Sequence, residues 1–212
     1  MTITVFGATG QVGKRVVQQA LAKGFMVRAF GRNIVEQMID NAANKQLQTI
    51  QGYVFDEETV FNAVNGADAV ISTLGGAFDG TDKTRSLGIK NIITQLQKLK
   101  QKRIVVLGGL GVLDDDSGRL LMDAPNYPAQ FLPVGKEHLQ AYLYLKESDL
   151  DWTFVCAPNI LDEDGHQAYI TNIKYPPVPN SYEIAAGDLA HYMLNVLTER
   201  KFFQKKIGIC KA

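Results

Sequence analysis

Val5-Phe6-Gly7-Ala8-Thr9-Gly10-Gln11-Val12-Gly13, residues 5–13, sets three glycines three apart directly behind a short apolar run. Thr2–Phe6 reads as a strand. Val12–Ala22 reads as an amphipathic helix, with Val12, Val16, Val17, Ala20 and Leu21 on one stripe. Strand, glycine-rich turn and helix in that order make the phosphate-binding corner of a nucleotide-binding α/β unit. Each glycine has separate work: a tight turn, a close backbone approach to a pyrophosphate, and contact between helix and sheet. The N–H groups and positive dipole end of the helix then receive the anion. Gly7, Thr9, Gly10, Gln11 and Val12 are therefore the first candidate cofactor contacts.

Outward from this turn, apolar runs of strand length alternate with helical patterns. Strands are expected at Thr2–Phe6, Met26–Phe30, Leu47–Tyr53, Ala69–Thr73, Arg103–Leu107, Trp152–Ala157 and Lys206–Cys210. Helices are expected at Val12–Ala22, Val35–Ala43, Glu57–Asn65, Leu87–Lys100, Gly135–Glu147 and Asp188–Glu199. The alternation predicts an α/β Rossmann-type fold: a doubly wound parallel sheet of about seven strands with helices on both faces. Its ligand crevice lies at the carboxyl ends of the strands. With 212 residues, 46% of them apolar, the chain suffices for one such core and is small for two, so residues 1–212 are expected to form a single NAD(P)-binding domain. Two long loops, 108–133 and 159–180, follow late strands and are expected over the substrate crevice. Asp114-Asp115-Asp116 in the first reads as a solvated loop tip rather than a metal site.

Twenty-two basic and 22 acidic residues leave no surplus to neutralise a nucleic-acid backbone, so no nucleic-acid partner is expected. No leader pattern or long apolar span appears, so no membrane partner is expected either. Cys156 and Cys210 lie in apolar segments and read as buried thiols in a cytoplasmic protein.

The second strand leads into Gly31-Arg32-Asn33, where a protein selective for NAD would carry Asp or Glu against the ribose 2′-hydroxyl. Arg32 is placed instead to pair with a 2′-phosphate, with Asn33 beside it and Arg28 as a helper, which selects NADP(H). Asp56, after the third strand, is positioned both to face an adenine amino group and to cap the following helix. Leu74, Gly75 and Gly76 end the fourth strand, where glycine lets the backbone pass close to a ribose.

Together these stretches resemble the atypical short-chain dehydrogenase/reductases, nearest the flavin reductase/biliverdin reductase B branch. The likeness runs through Phe6–Gln11, Asp68–Ile71 with Leu74-Gly75, Lys90-Asn91-Ile92, Val105-Val106, Leu145–Ser148 before Trp152, Pro158 and Asp188–Leu194. It implies a reduced nicotinamide passing hydride to a bulky conjugated acceptor such as a flavin, tetrapyrrole or quinone. It also implies that some relatives bind NADP(H) as regulators. Gly108, Gly109 and Pro158 join the cofactor-binding candidates.

Typical members of the wider family use a Ser or Thr near the end of strand five and a Tyr-x-x-x-Lys on the next helix. Tyr142–Lys146 matches the second element on paper, but Tyr142 falls late in its helix, at core spacing with Leu139 and Leu145, and reads as packing. Strand five ends Leu107-Gly108-Gly109-Leu110-Gly111 without a hydroxyl, and Ser117 is too far along to replace it. Lys136 has Leu132, not Tyr, four residues before it. Where the branch often carries His after the strand-six Pro, this chain has Asn159. Glycines 108, 109 and 111 would leave room for a flat ring, and Asn159 and His138 are the candidate catalytic groups; His166 and His191 read as loop and helix-surface residues. The expected function is an NADPH-dependent reductase of a planar small-molecule acceptor, monomeric or weakly homo-oligomeric. The alternative is an NADP(H)-binding sensor without turnover. An epimerase or dehydratase would need Tyr-Lys and a larger substrate domain.

Overall fold

The computed structural model describes residues 1–38 and 44–212. In β1 (Thr2–Phe6) successive side chains leave opposite faces of the sheet. Ile3 and Val5 enter an apolar cluster with Val16, Val17 and Ala20 of α1 (Gln11–Ala22), while Phe6 joins Val60 and Val64 of α3 (Glu57–Val64) on the other face. Thr4, wholly buried on that second face, donates its hydroxyl to the Ala63 carbonyl at 2.7 Å, so no polar group is stranded.

The pattern repeats through β2 (Met26–Gly31), α2 (Ile34–Gln37), β3 (Leu47–Gln51), β4 (Ala69–Ser72), α4 (Thr84–Lys98), β5 (Arg103–Gly109), α5 (Leu132–Glu147), β6 (Asp151–Ala157), α6 (Ala186–Asn195) and β10 (Lys205–Lys211). Ile34 of α2 and Leu189, Ala190 and Met193 of α6 fill the α1 face; Ile89, Ile92 and Leu96 of α4 with Ala141 and Leu145 of α5 fill the α3 face. The result is a Rossmann-like α/β fold around a mostly parallel eight-stranded sheet whose edge strand is β8 (Tyr169–Ile173), ordered β3-β2-β1-β4-β5-β6-β10-β8. The order reverses between β1 and β4, which opens a crevice past the carboxyl ends of those two strands. Arg103, buried at the opposite end, donates to the carbonyls of Val196 and Leu197 and so neutralises the negative end of α6.

Three strands were not expected. β7 (Asn159–Leu161) and β9 (Glu183–Ala185) form a small parallel pair, and β8 (Tyr169–Ile173) adds to the main sheet antiparallel to β10. Segment 159–180 is therefore not a plain loop. The helix expected over Val35–Ala43 is seen as α2, and its later residues lie outside the described ones. Both cysteines are buried and free; burial pushes the Cys156 thiol well up, which makes it inert. Among the described residues no helix is long and apolar enough to cross a membrane, and no group of His, Cys, Asp and Glu is arranged to hold a metal.

Candidate functional site

The glycine turn sits at the crevice, between β1 and α1. Gly7 has φ +76°, a left-handed conformation that favours glycine. A Cβ on Gly13 would stand 2.1 Å from the Gly7 carbonyl oxygen, so helix and turn touch backbone to backbone. Those two glycines build the corner. Gly10 is different: it is exposed, its φ and ψ are ordinary, and a Cβ there would meet only the Gly7 oxygen at 3.4 Å. Across the crevice, a Cβ on Gly75 would meet nothing within 4 Å. Gly10 and Gly75 therefore leave room for a ligand, whereas Gly7 and Gly13 leave room for the protein itself.

The end of α1 is unsatisfied in the way an anion site requires. Among the described residues no side chain caps it, and its first turn carries no acid. The first intrahelical acceptor is the Gly10 carbonyl, taken by the Lys14 N–H at 2.9 Å, so the amides of Gln11, Val12 and Gly13 lie beyond the ladder. α3 shows the contrast. Asp56 caps it, accepting the Thr59 N–H at 2.7 Å, and Glu57 and Glu58 fill its first turn. The Thr59 side-chain and backbone contacts hold the Asp56 carboxyl below its usual range. Of these two helix ends, only that of α1 can receive a diphosphate. The structure thus fits a dinucleotide: Gly7, Thr9, Gly10, Gln11 and Val12 would hold the phosphates, Val12 through its amide alone because its side chain is core. The Thr9 methyl faces Gly31 at the end of β2, and the exposed Arg32 and Asn33 follow beyond it, where a ribose would lie.

Arg28 does not help Arg32. Its guanidinium donates to the carbonyls of Ala63 and Asn65 at the end of α3, which fixes it on the sheet face. The Asp114–Asp116 reading is also corrected. Asp114 is buried and paired with Lys206 and Lys174, while Asp115 organises its own turn through Ser117 and Arg119. The Ser117 hydroxyl and then the Arg119 contacts pull Asp115 down to about 2.

On the acceptor side, the room expected above glycines 108, 109 and 111 is already taken. A Cβ on Gly108 would stand 2.2 Å from the Phe154 ring, one on Gly109 2.8 Å from the His138 ring, and one on Gly111 2.6 Å from the Tyr127 hydroxyl. These glycines serve close packing. His138, half-buried against Gly109, is lowered to about 3 by loss of hydration, with the Arg85 charge adding to it. It stays neutral across the physiological range. Leu74 is half-buried against Gly88, and Asp82 packs over Gly76. Pro158 is half-buried, and Asn159 is exposed, donating its amide N–H to Tyr182 at 3.1 Å. Tyr142 packs against Trp152 and Phe154, and Lys146 points to solvent, so no Tyr-Lys pair faces Gly109. His166 is exposed, and His191 bonds the Tyr169 hydroxyl at 2.8 Å.

Three features of the crevice escape the sequence. Arg85, buried, donates to the carbonyls of Gly76 and Ala77 at 3.0 Å and pins the β4–α4 loop. Glu137, beside His138, accepts from Lys83 at 2.8 Å and Ser86 at 2.7 Å. Burial pushes the Glu137 carboxyl up, and those two donors more than offset it, keeping it charged. Arg15 of α1 reaches Asp162 at 2.7 Å and Asp164 at 2.8 Å, and Gln11 reaches the Ile160 carbonyl, tying the segment after β7 to the start of α1. The partners of Glu137, Arg15 and Gln11 are more than fifty residues away, so no local pattern announces them.

Fold and turn together define a nucleotide-binding protein of the doubly wound class. The chain belongs to the NAD(P)H-binding family, whose pattern it matches over residues 7–200. It is 27% identical over 168 residues to the uncharacterized protein YwnB of Bacillus subtilis (strain 168), covering 78% of this chain and 75% of that one. A Streptococcus pneumoniae TIGR4 protein provisionally named an NADH-flavin reductase superposes with a TM-score of 0.83 at 26% identity, over 100% of both chains. A short-chain dehydrogenase/reductase of Veillonella parvula DSM 2008, solved with NADP, shares the fold with a TM-score of 0.76 at 19% identity, over 99% of this chain and 94% of that one.

Proposed function

We propose that the protein is an NADPH-dependent reductase that passes hydride to a flavin, quinone or related conjugated acceptor. A reduced nicotinamide supplies the hydride when bound; the chain supplies position and exclusion of water. The carrying observation is the uncapped, acid-free end of α1 beside Gly10 and Gly75. Arg32 supports the 2′-phosphate, being exposed past β2 and free of salt bridges among the described residues. Two aromatic rings support a planar acceptor: Phe78, 66% exposed, and Phe131, 45% exposed. Their loops meet where Gly80 touches Pro133, and the Arg85 guanidinium lies 5.5 Å from the Phe78 ring centre. The neutral ring of His138 and the side chain of Asn159 are the polar groups offered to such an acceptor. With no Tyr-Lys pair at Gly109, the reading favours acceptors that take their proton from solvent. Two free buried thiols suit a reducing cytoplasm.

A second reading, an NADP(H)-binding sensor without turnover, is favoured by one observation: Phe154, His138 and Tyr127 already fill the space over Gly108, Gly109 and Gly111. Following the fluorescence of bound NADPH during addition of flavins, quinones and linear tetrapyrroles separates the two. Prompt loss of signal with one acceptor is expected; a stable signal through the panel would replace the reductase with the sensor. In the same assay Arg32→Glu is expected to weaken NADPH binding about tenfold to a hundredfold, the worth of one charge-assisted contact of ~1.5–3 kcal/mol, and to leave NADH unchanged. Equal loss for both nucleotides would remove Arg32 from the 2′-phosphate.

A further inference from the structure

A trough of about 560 Å³ lies on the α5 face of the sheet, bounded by α5, β6, β10 and β8. It is not part of the nucleotide crevice. Trp152, which lines it, pairs in register with Ile104, whereas Ala157 pairs with Gly109 at the crevice end; the five residue steps from Trp152 to Ala157 span roughly 16 Å of strand. The volume falls within the range of small-molecule sites, about 300–1,000 Å³.

Its lining has two characters. The floor is apolar and aromatic: the rings of Tyr142 and Trp152 meet edge to face, centroids 5.6 Å apart at 87°, and Leu139, Leu143 and Ile173 extend the surface. The charged lining residues are Lys146, Lys174, Lys205, Lys206 and Asp114. Four lysines against one carboxylate leave an excess of three positive charges, in a chain whose net charge is zero.

One of those charges is fixed. Lys206 is 8% exposed; it donates to the Val112 carbonyl at 2.9 Å and to the Asp114 carboxylate, and its ammonium lies 5.4 Å from the Tyr142 ring centre. Lys174 takes the other Asp114 oxygen at 3.2 Å. Asp114 is thereby used up holding two lysines in place, and the exposed Lys146 and Lys205 have no acidic partner among the described residues. The uncompensated positive charge of the trough therefore belongs to Lys146 and Lys205, beside an apolar floor that can carry the body of an organic anion.

We propose that this trough is a second binding site, for a soluble organic anion with a flat apolar body and one carboxylate, sulfonate or phosphate group. The inference does not depend on the reading of the glycine turn. The apolar body lies on Tyr142 and Trp152, and the anionic group meets Lys146 and Lys205.

Trp152 is the only tryptophan of the chain, so the site carries its own reporter. The probe is 8-anilinonaphthalene-1-sulfonate, titrated against the intact protein. Saturable quenching of Trp152 with matching sensitised probe emission is expected, unchanged by saturating NADP⁺. The double charge reversal Lys146→Glu with Lys205→Glu, at exposed positions, is expected to weaken binding tenfold or more, while Lys23→Glu, at the exposed C-cap just past α1, leaves it alone. N-phenyl-1-naphthylamine, the same body without the sulfonate, should bind at least tenfold more weakly. Absence of Trp152 quenching, displacement by NADP⁺, or equal binding to the double variant or of the uncharged probe would each overturn the proposal. Unfolding by urea, followed by circular dichroism, checks that the variants keep the wild-type fold.

Discussion

Gly10→Ala is expected to leave the fold intact and to weaken nucleotide binding strongly. Gly10 has φ −73° and ψ 166°, which alanine adopts freely, and its new methyl would sit at ordinary contact distance from the Gly7 carbonyl. Stability should stay within about 0.5 kcal/mol of wild type, as for exposed positions generally. The methyl would instead occupy the space over the free amides of Gln11, Val12 and Gly13. A loss of about a hundredfold in NADPH affinity, ~2.7 kcal/mol, is expected in a fluorescence titration. Gly13→Ala should behave in the opposite order. Its methyl would meet the Gly7 carbonyl oxygen at 2.1 Å, a backbone atom with nowhere to go, and the cost falls first on stability, at about 3 kcal/mol. Wild-type NADPH affinity in Gly10→Ala would move the phosphates off this turn.

The largest effect away from the crevice is expected at Asp114. Asp114→Ala removes the carboxylate between Lys206 and Lys174 and leaves the buried Lys206 ammonium with one carbonyl and the face of Tyr142. Breaking one side of a buried pair costs about 3–5 kcal/mol, because the remaining charge is uncompensated. For a chain of this length that lowers the melting temperature by roughly 10 °C. Pairing Asp114→Leu with Lys206→Met should recover most of the loss, since the desolvation cost of both charges disappears together. Urea unfolding of the three proteins measures this directly; a double variant no more stable than Asp114→Ala would show that packing, not charge, is what Asp114 provides.

The parts of the fold that were legible are those whose signal is local. A strand buried on both faces is a short apolar run, and a helix on such a sheet carries one apolar stripe; β1, α1 and their repeats declare themselves in this way. β7, β8 and β9 do not. Each has three to five residues, and the outer residues of β8, Thr171–Ile173, are exposed, so no apolar run marks it. The nucleotide corner was legible because the glycine spacing is itself the mechanism. What a glycine makes room for was not. The sequence near Gly108 looks the same whether the space holds a ligand or the ring of Phe154, which comes from another strand. Asp114 misled for a similar reason: its neighbours Asp115 and Asp116 suggest solvent, whereas its partners are 60 and 92 residues away.

The antiparallel β8 has a consequence for the order of assembly. Among the described residues its one partner in the main sheet is β10, and β10 is what joins it to β6. Residues 169–173 thus have nothing in that sheet to pair with until residues 205–211 have been inserted, more than thirty positions later in the chain. Outward from β6 the sheet therefore cannot be built in chain order: β10 must pair with β6 before β8 has an edge to join. Asp114 meets Lys206 only at that moment. Without β10 the Asp114 carboxylate has no Lys206 ammonium to meet, so the desolvation of this pair is coupled to the docking of that strand.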